Sequence, residues 1–405
     1  MMDAVCVSRA PFSSTGGVVA DRTRRVYGPA AGHDGRMDIE AMRSARQRAH
    51  LLSAPAPHVV AVARHLAATQ AQEFWGGRWA LAVRSAGDPT LRDVDAAFER
   101  GDLIRSWTQR GTVHILDPRD LEWMLSITAE RQSRQAASIH RGLGLDEGDA
   151  LARCEAPVRA ALRGGNRLTR AELAEVLRTS GVDTTGIRGN LILTALCRRA
   201  VIVLGPVIPR EGAPTREQYL VAADEWITDA MTPADPLAEL LLRYLRGHGP
   251  ATLADFRWWA GLPQGLARTA QEGAADRVAE IDEGVFVETG ADVAARPVTG
   301  VADAARPAAV PAGILALPPF DEYYLSYADR TVVCGPDLAA AIGPTRNGAV
   351  SPVLMDASGA VVGTWKHSLA VGRHHLAPVA EVVAPGVDEN AVTAALERFR
   401  AFLGD

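Results

Sequence analysis

The sequence predicts an α+β protein, mainly α-helical with β-hairpins, in which three tandem winged-helix units precede a C-terminal α+β segment. The first observation is a repeated helix start, Thr-x-x-Asp or Thr-x-x-Glu, whose hydroxyl and carboxylate satisfy free N–H groups of the first turn. It occurs at Thr90, Thr169 and Thr252, at spacings of 79 and 83 residues. The second observation is a pair of short strand patterns after each helical group. Spacings this long indicate tandem small domains rather than a solenoid.

The first unit, together with its flanking helices, is predicted over residues 38–150. Asp38 is a suitable N-cap for its first helix, and Gly101 is a suitable residue to follow a helix C-terminus. Gly111 lies in the turn of a β-ribbon, the first wing. The predicted elements are helices over 39–52, from 59, over 91–100 and over 120–141, and strands over 103–108 and 113–116.

The rest of the chain divides where its composition changes. A small, polar, Gly- and Pro-rich start predicts a disordered tail, for which a basic arm is the alternative. The third wing is acidic around Asp282 and Glu283, so we expect that unit to be a scaffold. The predicted divisions are a tail over 1–37, winged helices over 151–235 and 236–288, a linker over 289–312 and the α+β segment over 313–405.

Composition excludes several classes of protein. No apolar run approaches the ~20 residues that span a bilayer, and residues 1–6 do not begin a secretory signal. The four cysteines lie far apart without a CxxC spacing, which argues against a disulfide framework and a zinc site. No phosphate-binding loop or dinucleotide motif occurs. We therefore expect a cytoplasmic monomer that uses no metal and no other cofactor.

Charge is distributed unevenly along the chain. The net charge is −5, but residues 1–220 hold 30 Arg against 24 acidic residues, which gives +6, and residues 221–405 carry −11. A basic N-terminal half can face phosphates if its acidic residues are turned away. The alternative is a compositional accident. Because winged helices commonly bind nucleic acid, we expect this half to contact duplex DNA.

Five segments together carry a resemblance to a known family. They are MRSARQRAHLL at 42–52, TQAQE at 69–73, RSWTQRGTVH at 105–114, PFDEYYLSYADR at 319–330 and GTWK at 363–366. In this order they resemble the AlkZ/YcaQ family of bacterial winged-helix DNA glycosylases, over about residues 40–405. The resemblance implies tandem winged helices that form a C-shaped channel around DNA. It also implies excision of bulky alkylated purines, unhooking of interstrand cross-links in some members, and self-resistance to a genotoxic natural product in others.

The family signature Gln-apolar-Gln corresponds to Gln70-Ala71-Gln72, and the resemblance implies that Gln70 and Gln72 are catalytic. A glutamine amide has no useful proton equilibrium near neutral pH, so it is a poor general base. A purine alkylated at N7 or N3 is already cationic and leaves as a neutral base. The enzyme then needs only to position water and to stabilise the sugar cation, which two amide oxygens can do. The alternative is a pair of solvent-facing glutamines at a helix end.

Geometry restricts the backbone of this motif. Residues two apart on an α-helix point about 200° apart, whereas in an extended segment they point the same way. If both glutamines serve one site, the helix from Val59 must stop or kink near Gln70, and Gly76-Gly77 just beyond are consistent with a nearby break. We expect both amides to face one groove, lined by the first wing and the C-terminal region.

The first wing supplies the candidate DNA contacts Arg105, Arg110, Thr112 and His114. Arginine and hydroxyl donors suit phosphate oxygens, and the alternative is a solvated hairpin that alternates with core residues. The adjacent acids Asp321 and Glu322 are predicted to be structural hydrogen-bonding groups rather than metal ligands. A non-catalytic winged-helix regulator is the rival function, but its candidate recognition helix over 91–100 carries three acids that phosphates would repel.

Overall fold

The computed structural model describes residues 37–145, 150–210, 214–289, 313–345, 348–368 and 373–404. The helices are α1 (Ile39–Ala49), α2 (Val59–Leu66), α3 (Phe74–Ala82), α4 (Leu91–Glu99), α5 (Leu121–Gly142), α6 (Ala150–Leu162), α7 (Arg170–Thr179), α8 (Arg188–Arg198), α9 (Ala223–Trp226), α10 (Pro236–His248), α11 (Leu253–Ala260), α12 (Gln264–Gly273), α13 (Glu322–Leu325), α14 (Pro336–Ile342) and α15 (Glu389–Leu403). No helix in these ranges has both the length and the apolar composition needed to cross a membrane.

The strands form three antiparallel sheets. They are β1 (Thr69–Gln70), β2 (Ile104–Trp107), β3 (Val113–Leu116), β4 (Ile202–Val207), β5 (Gln218–Ala222), β6 (Ala251–Thr252), β7 (Val278–Asp282), β8 (Val285–Glu288), β9 (Leu315–Leu317), β10 (Val353–Met355), β11 (Val361–Lys366) and β12 (Val379–Val383). The sheet orders are β1-β3-β2-β4-β5, β6-β8-β7 and β12-β11-β10-β9. The architecture is therefore α+β with antiparallel sheets.

The three repeated helix starts are confirmed. At the start of α4, Thr90 Oγ1 accepts the Asp93 N–H while the Asp93 carboxylate accepts the Thr90 N–H. The same reciprocal pair begins α7 at Thr169 and α11 at Thr252. Each of these reciprocal pairs, known as capping boxes, satisfies two N–H groups that the helix itself leaves free.

Two predicted features of the first unit can be placed more closely. The helix α1 begins after the predicted cap Asp38 but ends at Ala49 rather than Leu52, because Leu51 adopts a φ of 58° that a helix cannot contain. The break expected near Gln70 lies between α2 and α3, whereas Gly76-Gly77 themselves lie inside α3. Residues 1–36 of the predicted tail and 290–312 of the predicted linker lie outside the described residues.

The first and second predicted wings belong to one sheet. The hairpin of β2 and β3 joins the hairpin of β4 and β5 through the pairing of Arg105 with Leu204. The strand β1 extends the same sheet on the outer side of β3. The Gln70 backbone is thus held at the edge of a five-stranded sheet, whose strands come from both the first and the second predicted unit.

The C-terminal segment packs directly on the residues around α3. Trp79 is buried, its indole N–H donates to the Ala316 carbonyl at 2.7 Å, and its ring contacts Phe399 and Phe402. A fully buried ion pair joins the same two regions, with both terminal guanidinium nitrogens of Arg84 on the Asp321 carboxylate at 2.7 and 2.9 Å. This docking brings residues 321–326 next to the Gln70-Ala71-Gln72 motif.

Candidate functional site

The helix α2 ends in a tight turn just before the glutamine motif. Ala67 has φ 63° and ψ −48°, and the Ala68 N–H donates to the Leu66 carbonyl at 2.7 Å. This is a γ-turn, whose central residue is strained when it carries a side chain. The turn leads the chain from the helix into extended backbone, so the prediction that the motif lies outside a regular helix is confirmed.

The backbone of Gln70 and Ala71 is hydrogen-bonded to β3 of the first wing. In the β1–β3 pairing Gln70 lies opposite His114, and the Ala71 N–H donates to the Val113 carbonyl at 2.9 Å. Residues that lie directly opposite in an antiparallel pair point to the same face of the sheet. The Gln70 and His114 side chains are therefore neighbours on one face.

The two glutamines differ in their access to solvent. Gln70 is 4% exposed, whereas Gln72 is exposed. The Gln70 side-chain oxygen accepts the Gln72 backbone N–H at 3.1 Å, and the Gln70 backbone N–H donates to Glu322 Oε1 at 2.8 Å. Gln70 thus braces the backbone of Gln72, whose own amide faces outward. The single groove expected for both amides stays a prediction.

Arg105 also holds the backbone of the motif. It is 7% exposed, and its Nε and Nη2 atoms donate to the Ala71 carbonyl at 3.0 and 2.7 Å. Burial lowers the pKa of Arg105 to about 9, and the charges of Arg170 and Arg78 act in the same direction. A phosphate contact by Arg105, as the sequence predicted, would require these bonds to the backbone to break.

Arg110 lies in the turn of the first wing with a φ of 54°. It is half-buried, and its Nη1 donates to the Trp259 carbonyl at 2.8 Å. Its Nη2 is buried and has no hydrogen-bond partner within the part of the chain that the structure describes. Burial lowers the pKa of Arg110, and the negative charge of Glu322 opposes that shift. One donor of Arg110 is therefore unused by the protein.

His114 and Thr112 form a polar layer beside Gln70. His114 is fully buried, with Nδ1 3.0 Å from the Thr108 hydroxyl and Nε2 3.5 Å from the Thr112 hydroxyl. Burial and the nearby charge of Arg110 lower the pKa of His114 to about 3. Its imidazole is consequently neutral at physiological pH and is no source of a proton there.

Glu322 is the residue of this site that the sequence did not single out for a functional role. It is 1% exposed, and besides Gln70 it accepts hydrogen bonds from the Trp259 indole at 3.1 Å and from the Ser326 hydroxyl. Burial raises the pKa of Glu322, but the proximity of His248 and the charge of Arg110 outweigh this effect and lower the pKa to about 2. The expectation that Asp321 and Glu322 are structural hydrogen-bonding groups is confirmed. The adjacent acids Asp321 and Glu322, in a segment that carries the family resemblance, were the available signal.

Comparison with known proteins finds relatives of this chain. The interstrand DNA cross-link repair glycosylase of Streptomyces sahachiroi is 26% identical over 332 residues, which cover 79% of this chain and 85% of that protein. The solved structure of the Streptomyces sahachiroi DNA glycosylase AlkZ shares the fold, with a TM-score of 0.69 at 23% identity over 91% of this chain and 97% of that one. A family model for AlkZ-like DNA glycosylases matches residues 63–402. The chain therefore belongs to the AlkZ-like family of DNA glycosylases.

Proposed function

We propose that this chain is a monofunctional glycosylase that hydrolyses the N-glycosidic bond of purines alkylated at N7 or N3 in duplex DNA. The observation that carries the proposal is an exposed neutral amide, Gln72, on a backbone held by Gln70, Arg105 and Glu322. A neutral amide positions water but does not deprotonate it strongly. This chemistry suffices only when the base is a good leaving group before the enzyme acts.

The state of the surrounding ionisable groups supports a cationic substrate. A neutral base such as uracil needs help with its developing negative charge, and the imidazole beside Gln70 is unprotonated because the pKa of His114 is about 3. A cationic purine instead leaves as a neutral molecule. Gln72 then holds the attacking water, and the amide oxygens place partial negative charge near the oxocarbenium-like sugar.

Duplex DNA is gripped, in this proposal, by tandem winged helices arranged as a C-shaped channel, with the enzyme acting as a monomer. Helices followed by a β-hairpin in the three predicted units support this arrangement. Arg110 offers the unused Nη2 donor for a phosphate after its side chain rotates, while Thr112 flanks it. Arg105 and His114 contribute indirectly, by fixing the motif and the strand opposite it.

Two other functions were weighed for this chain, cross-link unhooking and transcriptional regulation. The name of the Streptomyces sahachiroi enzyme, an interstrand DNA cross-link repair glycosylase, supports the unhooking of cross-links as a second candidate activity of this chain. A non-catalytic regulator is less well supported. The acids of α4 are held by the protein itself, with Asp95 on Arg78 and Glu99 on Arg167, and remain unsuitable for a helix that reads DNA.

The direct test is release of base from a duplex that contains a single 7-methylguanine, in buffer with EDTA and without nucleotide. We expect free 7-methylguanine and an abasic strand, both quantified by mass spectrometry, because the proposed steps involve only protein amides and water. A uracil-containing duplex of the same sequence is the matched control and should stay intact. Release that required a divalent ion, or release of uracil alone, would reject the mechanism.

A further inference from the structure

We propose that Glu322 is a positioning residue for base excision, whose carboxylate fixes the Gln70 backbone and, through it, the amides of Gln70 and Gln72. This assignment rests on the proposed function of the two glutamines. It adds to the site a residue that lies 252 positions from Gln70 in the chain and touches none of the reacting atoms in this account.

The connection runs through two consecutive hydrogen bonds. Glu322 Oε1 accepts the Gln70 backbone N–H at 2.8 Å, and the Gln70 side-chain oxygen accepts the Gln72 backbone N–H at 3.1 Å. The first bond fixes the peptide from which the Gln70 side chain departs, and the second fixes the peptide that carries Gln72. A shift of the carboxylate therefore moves both amides together.

The carboxylate itself has few ways to move. Its other oxygen, Oε2, accepts the Trp259 indole N–H at 3.1 Å and the Ser326 hydroxyl, and His248 Nε2 lies 3.6 Å away. A buried carboxylate with three donors is stabilised in its ionised form, in agreement with the depressed pKa of Glu322. An amide in the same place has only one acceptor oxygen and cannot serve all three donors.

Buried contacts from α1 and from the residue that follows it reach the segment that carries Glu322. His50 Nε2 lies 2.8 Å from the Tyr327 hydroxyl, which donates to the His248 carbonyl at 2.7 Å. The Arg46 guanidinium covers the Tyr327 ring at 3.7 Å and bonds the Pro250 carbonyl. Segments 42–52 and 319–330 are therefore in contact with each other, and the second segment also bonds Gln70.

The test compares Glu322→Gln with the wild-type enzyme in single-turnover release of 7-methylguanine, with enzyme in excess. We expect the rate constant to fall on the order of tenfold to a hundredfold, because misplaced amides stabilise the transition state less. DNA affinity and the reaction amplitude should stay within about twofold. The matched control is Asp120→Asn, which alters a buried carboxylate that also accepts an indole N–H, from Trp123, and whose cationic partner is Arg243. It should keep the wild-type rate.

Hydrogen–deuterium exchange provides the readout of position. The peptide that contains Thr69–Gln72 should exchange faster in Glu322→Gln than in the wild-type and Asp120→Asn proteins. Should Glu322→Gln fail to fold, Ser326→Ala removes one donor and keeps the charge. We then expect faster exchange in the same peptide and a rate lowered about twofold to fivefold.

The outcomes separate this inference from the proposed function. A wild-type rate in Glu322→Gln, beside a slow Gln70→Ala/Gln72→Ala protein, overturns only the role of Glu322. A drop in amplitude or DNA affinity with an unchanged rate constant shows a structural role and also overturns it. If the Gln70→Ala/Gln72→Ala protein itself retains the wild-type rate, the catalytic assignment of the glutamines is what fails.

Discussion

Burial divides the candidate residues into those that can meet DNA and those that support them. Gln72 is exposed and Arg110 half-buried, whereas Gln70, Arg105 and His114 are buried and bonded within the protein. Buried donors and acceptors are costly to leave unpaired, so the three buried side chains keep their internal partners. We therefore propose that direct contact with the substrate is made by Gln72 and, after a side-chain rotation, by Arg110.

The sequence predicted the candidate residues but not the orientation of their side chains. The glutamine motif was found by resemblance, and its position outside a regular helix by the angle between i and i+2 side chains. The inward direction of Arg105 was not predictable, because a period-2 pattern in a short strand is compatible with either face. Its partner, the Ala71 carbonyl, lies on a segment 34 residues earlier.

Arg110→Gln tests the wing as a DNA contact. We expect binding to damaged and undamaged duplexes to weaken alike, because a phosphate contact carries no sequence or lesion information. The slope of log affinity against log salt should fall by about 0.9, the value for one phosphate. The control is Arg400→Gln, which changes a half-buried arginine of α15 that pairs with Glu397, and this protein should bind as the wild type does. An Arg110→Gln protein with unchanged affinity and slope would remove this role.

At the scale of elements, the motif depends on how closely α3 approaches it. A Cβ atom on Gly77 would lie 2.6 Å from the Ala71 Cβ and 2.9 Å from Ile115 Cδ1. Glycine inside a helix costs about 1 kcal/mol relative to alanine, so this position favours close packing over helix propensity. The low helix propensity of glycine is also the reason why Gly76-Gly77 suggested a break in the helix. Local propensity was overridden by tertiary packing.

Gly77→Ala should push Ala71 away from α3 and disturb both flanking glutamines. We expect destabilisation by about 1–3 kcal/mol, the usual cost of overpacking, and a single-turnover rate at least tenfold lower. The control is Gly265→Ala in α12, where a Cβ meets no atom within 4 Å. That change should leave the rate intact and raise stability slightly, by up to about 1 kcal/mol. Equal effects of the two substitutions on rate would contradict the proposed packing constraint.

At the scale of the whole molecule, the site is assembled from distant parts of the chain. Glu322 reaches Gln70 only because the C-terminal segment docks on α3, with the Arg84–Asp321 pair buried in that contact. Removing one member of a buried pair is strongly unfavourable, since the other charge is left uncompensated. The pairing of β2 with β4 likewise joins two hairpins that lie far apart in the chain. Contacts between residues far apart in the chain leave no pattern in the local sequence, whereas capping boxes and hairpins leave a recognisable one.

We propose that neutral amides, and Gln72 in particular, carry out hydrolysis of a cationic purine. The decisive experiment is single-turnover release of 7-methylguanine by Gln72→Ala, with saturating enzyme and EDTA present. We expect a rate constant lower on the order of tenfold to a thousandfold, with DNA affinity within about twofold of wild type, because the interaction strengthens in the transition state. Release by Gln72→Ala at the wild-type rate would contradict it.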